Sequence, residues 1–142
     1  MAAFEESIGF LLADVSRLMR RSFEQKITGS DLTLSQARAL ARVARQEGCR
    51  QVELAEQLEI KPITLARLLD QLERSELVER RPDPEDRRAH RVYLRDDAER
   101  ALGDIRAADA RLHAEALQGL DQDEVDALAS ALRKLRANLS SR

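Results

Sequence analysis

The stretch from residue 51 to residue 94 constrains this chain most, because its hydrophobic period changes within it. "QVELAEQL", 51–58, has Val52, Leu54, Ala55 and Leu58 as the apolar residues of a short helix. "EIKP" interrupts it, since the residue before a proline is biased away from helix, while Pro62 is suited to a first helical turn. The next run, "ITLARLLDQLERS", separates its faces: Leu65, Leu68, Leu69 and Leu72 follow i, i+3, i+4, i+7 and should face a core. Thr64, Arg67, Gln71 and Arg74 lie on another stripe, within about 80° of one another at roughly 100° per residue. "LVERR" at 77–81 and "RVYL" at 91–94 are then two β-forming runs around an arginine-rich segment carrying Pro82 and Pro84. They read as a two-stranded hairpin with a long tip.

Two short helices joined by a tight turn, the second with a polar stripe, make a helix-turn-helix candidate. With Gln51 as the first position, Ala55 is the fifth, where a small residue lets the helices approach. Leu65 and Leu68 are the fifteenth and eighteenth, on the buried side of the second helix. The ninth position, a usual place for glycine, is Glu59. A generic antiparallel helix pair would satisfy much of this pattern. The hairpin directly after it points to a winged helix, whose helix enters the major groove and whose wing reaches phosphates or the adjacent minor groove.

The wing segment "RRPDPEDRRAHR", 80–91, gathers five arginines in a chain of net charge −2. Residues 80–95 carry +3 and the remainder −5. A local basic patch on an acidic body binds phosphate where it is needed and repels it elsewhere, although a solvated loop would also be charged. Arginine suits a wing because its flat, weakly hydrated guanidinium fits a narrow groove of strong negative potential.

The flanks read as helices. Residues 4–27 place Ile8, Leu11, Leu12, Val15, Leu18 and Met19 at helical spacing before Gly29. Thr33 and Gln36 have capping-box spacing ahead of Ala37, Leu40, Ala41 and Val43, with Gly48 as the stop. Spans 97–118 and 122–139 complete the order helix, helix, helix-turn-helix, hairpin, helix, helix. The fold class is therefore mainly α with a small β-hairpin wing. The aliphatic stripe of Val125, Leu128, Leu132, Leu135 and Leu139, with the Leu11, Leu12, Val15 and Leu18 side, lacks an obvious partner in one compact core. Folding back would bury it; a twofold dimer would too, and would set two recognition helices about 34 Å apart on DNA.

Composition excludes other classes. The 142 residues are 43% hydrophobic, 35% charged and 3% aromatic, enough for one aliphatic core. No apolar run approaches the roughly 20 residues of a membrane span, and "MAAFEESIGFLLADVSR" lacks the basic start of a signal peptide, so a cytoplasmic protein is expected. No glycine-rich phosphate loop, nucleophile elbow or catalytic triad is present, so an enzyme is not expected and no cofactor is implied. His90 and His113 stand apart from any ligand cluster, so no metal site is expected. His90 reads as a polar wing residue and His113 as part of an amphipathic helix. The single cysteine, Cys49 in "EGCRQ", reads as a structural thiol. Phe4, Phe10, Phe23 and Tyr93 are too few for a cofactor box, and core packing is the expectation for Phe10 and Phe23.

"ELAEQL", "LARLLDQLE" and "LVERRPDPEDRRAHRVYL" together resemble the DNA-binding core of the MarR family of bacterial transcription regulators, its SlyA-like branch especially. With the flanking helices, the resemblance covers essentially the whole chain. It implies a winged helix-turn-helix over 33–95, with 1–32 and 96–142 forming a helical dimerisation region continuous with it. It also implies a homodimer on palindromic operator DNA, acting as a repressor and released by a small, often aromatic ligand whose site the sequence does not identify. Carried over by position, Thr64 and Arg67 would meet the major groove, Arg87 would be the wing tip in the minor groove, and Asp86 would orient Arg88. Lys61, Gln71, Arg74 and Arg91 would contact phosphate or the rim, with Ser35 and Gln36 adding a contact at a helix start. Three departures stand out: Glu59 at the turn, Glu76 where glycine precedes "LV", and Arg95 where the family caps the next helix, leaving Asp96 to take that cap. The alternative from another class is a winged-helix interaction module whose basic wing docks an acidic protein partner.

Overall fold

The computed structural model describes residues 7–140. Their elements are α1 (Ile8–Ile27), α2 (Leu34–Arg45), β1 (Cys49–Arg50), α3 (Gln51–Leu58), α4 (Pro62–Arg74), β2 (Val78–Asp83), β3 (Asp86–Leu94), α5 (Ala98–Ala116) and α6 (Gln122–Ser140). Phe4 lies outside the described residues. The architecture is mainly α with a small β wing.

Helix starts follow local chemistry. The Ser7 hydroxyl accepts the Phe10 N–H at 3.2 Å to open α1. Thr33 and Gln36 close the capping box of α2: Thr33 Oγ1 accepts the Gln36 N–H at 3.2 Å, and Gln36 Oε1 accepts the Thr33 N–H at 3.0 Å. Asp121 and Glu124 repeat this reciprocal pattern ahead of α6, at 2.8 and 3.1 Å. α4 opens instead on Pro62, which has no N–H to leave unsatisfied. Asp96 does not cap α5; the cap position is Asp97, without a side-chain cap bond, and the Ala98 N–H donates to the Arg95 carbonyl at 3.0 Å.

The core is aliphatic. Leu40 and Val43 of α2, Leu54 and Leu58 of α3, and Leu65, Leu68, Leu69 and Leu72 of α4 meet Val78 and Val92 of the wing strands. Leu102 and Ile105 of α5 join them. Each fully buried leucine or valine stabilises the fold by about 1.5–3 kcal/mol relative to exposure. α1 is fastened to α5 by Lys26, whose ammonium donates to Ser22 Oγ and Glu115 Oε2, both at 2.7 Å.

The sheet has the antiparallel order β1-β3-β2. β1, unexpected from sequence, pairs Cys49 with Val92 and Arg50 with Arg91. β2 and β3 run past "LVERR" and "RVYL", through Pro82↔His90 to Asp83↔Asp86. The connection is therefore Pro84 and Glu85 alone, in place of the long tip expected. The register jumps between Pro82 and Asp83, which leaves Arg87, Arg88 and Ala89 of β3 with nothing opposite.

Both glutamates that stand in for glycine adopt the left-handed conformation, Glu59 at φ 56° and Glu76 at φ 61°. After α4, the Leu77 N–H reaches the Leu72 carbonyl at 3.0 Å and the Glu76 N–H the Glu73 carbonyl at 2.9 Å, closing a Schellman motif without its usual glycine. Gly48 is different: at φ 85°, a Cβ there would stand 3.2 Å from Tyr93 Cε1. Glu76→Gly should raise unfolding stability by about 1 kcal/mol, whereas Gly48→Ala should lower it by at least as much. Chemical denaturation of the two variants beside wild type checks the opposite signs.

Candidate nucleic-acid interface

Burial of the leucine stripe turns the rest of α4 outward, so Thr64, Arg67, Gln71 and Arg74 are all exposed. A groove of about 420 Å³ between the start of α2 and α4 brings together Ser35, Arg38, Thr64, Arg67 and Gln71. Gln36 is committed to structure: besides its capping bond, its Nε2 donates to Gln71 Oε1 at 3.1 Å and ties α2 to α4. Lys61 is exposed at the N-cap of α4. Arg38, passed over in the sequence, is half-buried in this groove, and burial with neighbouring Arg20 and Arg42 lowers its pKa. Its place one helical turn after Ser35 was the signal available.

The wing arginines divide into two groups. Arg80 points back to α4, where its guanidinium pairs with Asp70 and Glu73. Arg81 pairs with Glu79 and lies over the Tyr93 ring, 4.0 Å from its centroid. Arg91 donates through Nη1 to the Gly48 carbonyl at 2.8 Å and places Nε 3.4 Å from Asp83. All three hold the wing together. Arg87 and Arg88 are exposed, and neither guanidinium has an ion-pair partner among the described residues. Asp86 does brace Arg88, but through the backbone: its Oδ1 accepts the Arg88 N–H at 3.0 Å. A second groove, about 310 Å³, runs between the wing and the helix starts and is lined by Val52, Pro62, Asp86, Arg88 and His90, with Arg50 at its edge. The unpaired Arg88 thus stands beside the first turn of α4.

Asp83 is the residue the sequence reading undervalued. Its side chain is fully buried. Oδ1 accepts the Glu85 N–H at 3.0 Å, and Oδ2 lies 2.9 Å from Arg50 Nε and 3.4 Å from Arg91 Nε. These ion pairs supply Oδ2 with charge partners, although it accepts no well-directed hydrogen bond. The Glu85 N–H, then Arg91 and Arg50, hold the carboxyl below its ordinary range, against burial that pushes the other way. The available signal was "DPED": aspartate followed by proline is the opening of a type I turn.

The other sites resolve simply. Cys49 is buried in the core, and burial with nearby Glu53 pushes its thiol pKa up, away from the reactive thiolate. His113 lies 3.4 Å from Asp109 one turn earlier, and His90 is exposed on β3. No cluster of metal-ligating side chains occurs among the described residues, and no helix there is long and apolar enough to cross a membrane. Phe23 packs against the core, whereas Phe10 is 51% exposed, contrary to the core position expected of it.

Asp83→Asn, which keeps the shape and removes the charge, should melt below wild type at neutral pH. Because the folded pKa is depressed, the aspartate's contribution is present above the unfolded value of about 3.9 and fades as pH falls through the lower folded value. Melting curves from pH 7 to pH 3 should show the gap between the two proteins closing only at the acid end.

The fold has counterparts among known proteins. The MarR family model matches residues 32–90. The transcriptional regulator PA3341 is 34% identical, with 96% of this chain and 100% of that one covered and a TM-score of 0.82. CouR, a transcriptional repressor solved on a 23-mer DNA duplex, is 28% identical over 96% of each chain, with a TM-score of 0.75. BpsR of Bordetella bronchiseptica, whose DNA binding is regulated by 6-hydroxynicotinic acid, is 26% identical, covers 94% of this chain and 95% of its own, and has a TM-score of 0.73. The chain, with its winged helix and arginine-bearing wing, belongs to the MarR family of transcriptional regulators.

Proposed function

We propose that this chain is a homodimeric, sequence-specific repressor that binds palindromic operator DNA and releases it on binding a small, often aromatic molecule. The observation that carries this reading is the unneutralised Arg88 in one groove with Pro62 at the start of α4, with exposed Arg87 next to it on the same wing segment, in a protein whose net charge is −2. In this reading α4 enters the major groove, with Arg67 on a guanine edge or phosphate and Thr64 beside it. Arg87 enters the adjacent minor groove, Arg88 follows the backbone, and Asp86 shapes the turn that presents them. Ser35, Arg38, Lys61, Gln71 and Arg74 contact phosphates or the rim, with Gln36 fixing Gln71. Arg91 serves the site indirectly, by holding the wing.

Residues 33–95 form the DNA-binding region, and 1–32 with 96–142 the dimerisation region. Support for the dimer comes from what one chain leaves uncovered. α6 buries none of its residues, and Leu128, Leu132 and Leu135 are 45%, 39% and 40% exposed. Leu11, Leu12, Val15 and Leu18 of α1 are exposed as well. Aliphatic stripes of this length are stable in water when a second copy covers them. The repressor assignment and the ligand response are drawn from what CouR and BpsR do, and this chain's ligand site is unassigned.

Two variants separate the surfaces. Arg87→Ala should leave the dimer mass unchanged by light scattering while reducing the slope of log affinity against log salt by about one per protomer. Leu132→Asp should give monomers and lose tight DNA binding. Arg67→Ala should cost about 1–3 kcal/mol and relax preference at one base pair per half-site. Weak binding of equal strength to every duplex would instead favour the acidic-protein docking module.

A further inference from the structure

We propose that Ile63 reads the methyl group of a thymine, making it a specificity-determining residue beside Arg67. The inference rests on α4 being the recognition helix. Ile63 is 62% exposed in the first turn of that helix. A single exposed aliphatic residue is ordinary on a protein surface, so exposure alone carries no weight. Its direction does. The buried stripe Leu65, Leu68, Leu69 and Leu72 defines the inner face of α4. At roughly 100° per residue, Ile63 lies within about 10° of the direction opposite that stripe, Arg67 within about 30°, and Thr64 about 90° round. Asp70 shares the outer face but is held by Arg80. At the leading end of the outermost ridge, the helix therefore presents an isoleucine.

An isoleucine there cannot donate or accept a hydrogen bond. Among the base edges of the major groove, the one apolar feature is the C5-methyl of thymine. The first residues of a recognition helix are those that reach base edges, which gives Ile63 access that a residue farther along the helix would lack. Covering by a second copy is not the better account. α4 packs against α2, α3 and β2, whereas the uncovered aliphatic stripes lie on α1 and α6. Ile63 and Arg67 are one helical turn apart, about 5–6 Å, and base pairs are stacked about 3.4 Å apart. The thymine should then lie within two base pairs of the one that Arg67 reads.

The test uses the full-length protein and the duplex it selects from random sequence. Each thymine of one half-site is replaced in turn by deoxyuridine, which removes only the methyl, and affinity is measured by fluorescence anisotropy. The base pair read by Arg67 is the one at which Arg67→Ala relaxes preference. For wild type, one replacement within two base pairs of it should weaken binding about fourfold, the worth of one buried methyl. Ile63→Ala, whose fold is checked by its melting temperature, should bind thymine and deoxyuridine there equally while keeping the penalties of guanine substitutions. A selective duplex with no such deoxyuridine penalty, or a penalty that survives in Ile63→Ala, overturns this role and leaves the regulator reading standing. Absence of any selected sequence overturns both.

Discussion

A buried carboxylate decides where the wing stands. Asp83 sits at the end of β2, yet its partners come from two other strands: Arg50 from β1 and Arg91 from β3. Arg50 is also the N-cap residue of α3, so the ion pair fastens the wing tip to the entrance of the helix-turn-helix. At the other end, Arg80 fastens β2 to Asp70 and Glu73 near the close of α4. The wing is thus held to both helices of the motif by charge as well as by the Val78 and Val92 contacts in the core. Exposed pairs such as Arg106 with Glu99 are of the kind that contribute little, about 0–1 kcal/mol, and position nothing comparable.

That arrangement changes what the basic segment means. An excess of arginine on an acidic chain looks like a uniform attraction for phosphate. In the folded wing, most of the charge is spent internally: Arg80, Arg81 and Arg91 neutralise glutamates and aspartates or cover Tyr93. What faces solvent unneutralised is the pair Arg87 and Arg88, on the short bulged segment where β3 has no partner residue. The acids of "PDPED" share in this division with Asp70, Glu73 and Glu79, which take Arg80 and Arg81. Asp83 takes Arg91 inward, and Asp86 fixes the backbone at Arg88. The proposed electrostatic contribution to DNA binding accordingly comes from a few placed cations, with the −5 charge of the remaining chain opposing indiscriminate binding.

The elements legible in the sequence were those whose signals are local. The α4 stripe, Pro62 at its start, the Thr33–Gln36 capping box and the span of α3 follow from neighbouring residues alone, and the structure agrees with each. β1 was not legible, because two residues carry no period and Cys49–Arg50 becomes a strand only by pairing with β3. The short wing tip was obscured in the same way, since Pro82 and "DRRA" oppose strand formation locally while the ladder carries them into it. Candidate residues followed the same rule. The outward set on α4 could be read from angle, but whether an arginine faces solvent or a buried carboxylate depends on partners distant in sequence. Arg91 is an instance: its partner, the Gly48 carbonyl, lies across the sheet and far away in sequence. Glu59 and Glu76 show the converse: turn geometry enforced by packing places a non-glycine residue at positive φ.

The central claim is that two copies of this chain present α4 and the wing to DNA with twofold symmetry. It is tested most directly by selecting binding sites from random duplex DNA with the purified protein. The account predicts an inverted repeat whose half-site centres lie about one helical turn, roughly 10 base pairs, apart. Recovery of a single unrepeated motif, or of no enriched sequence at all, would contradict it.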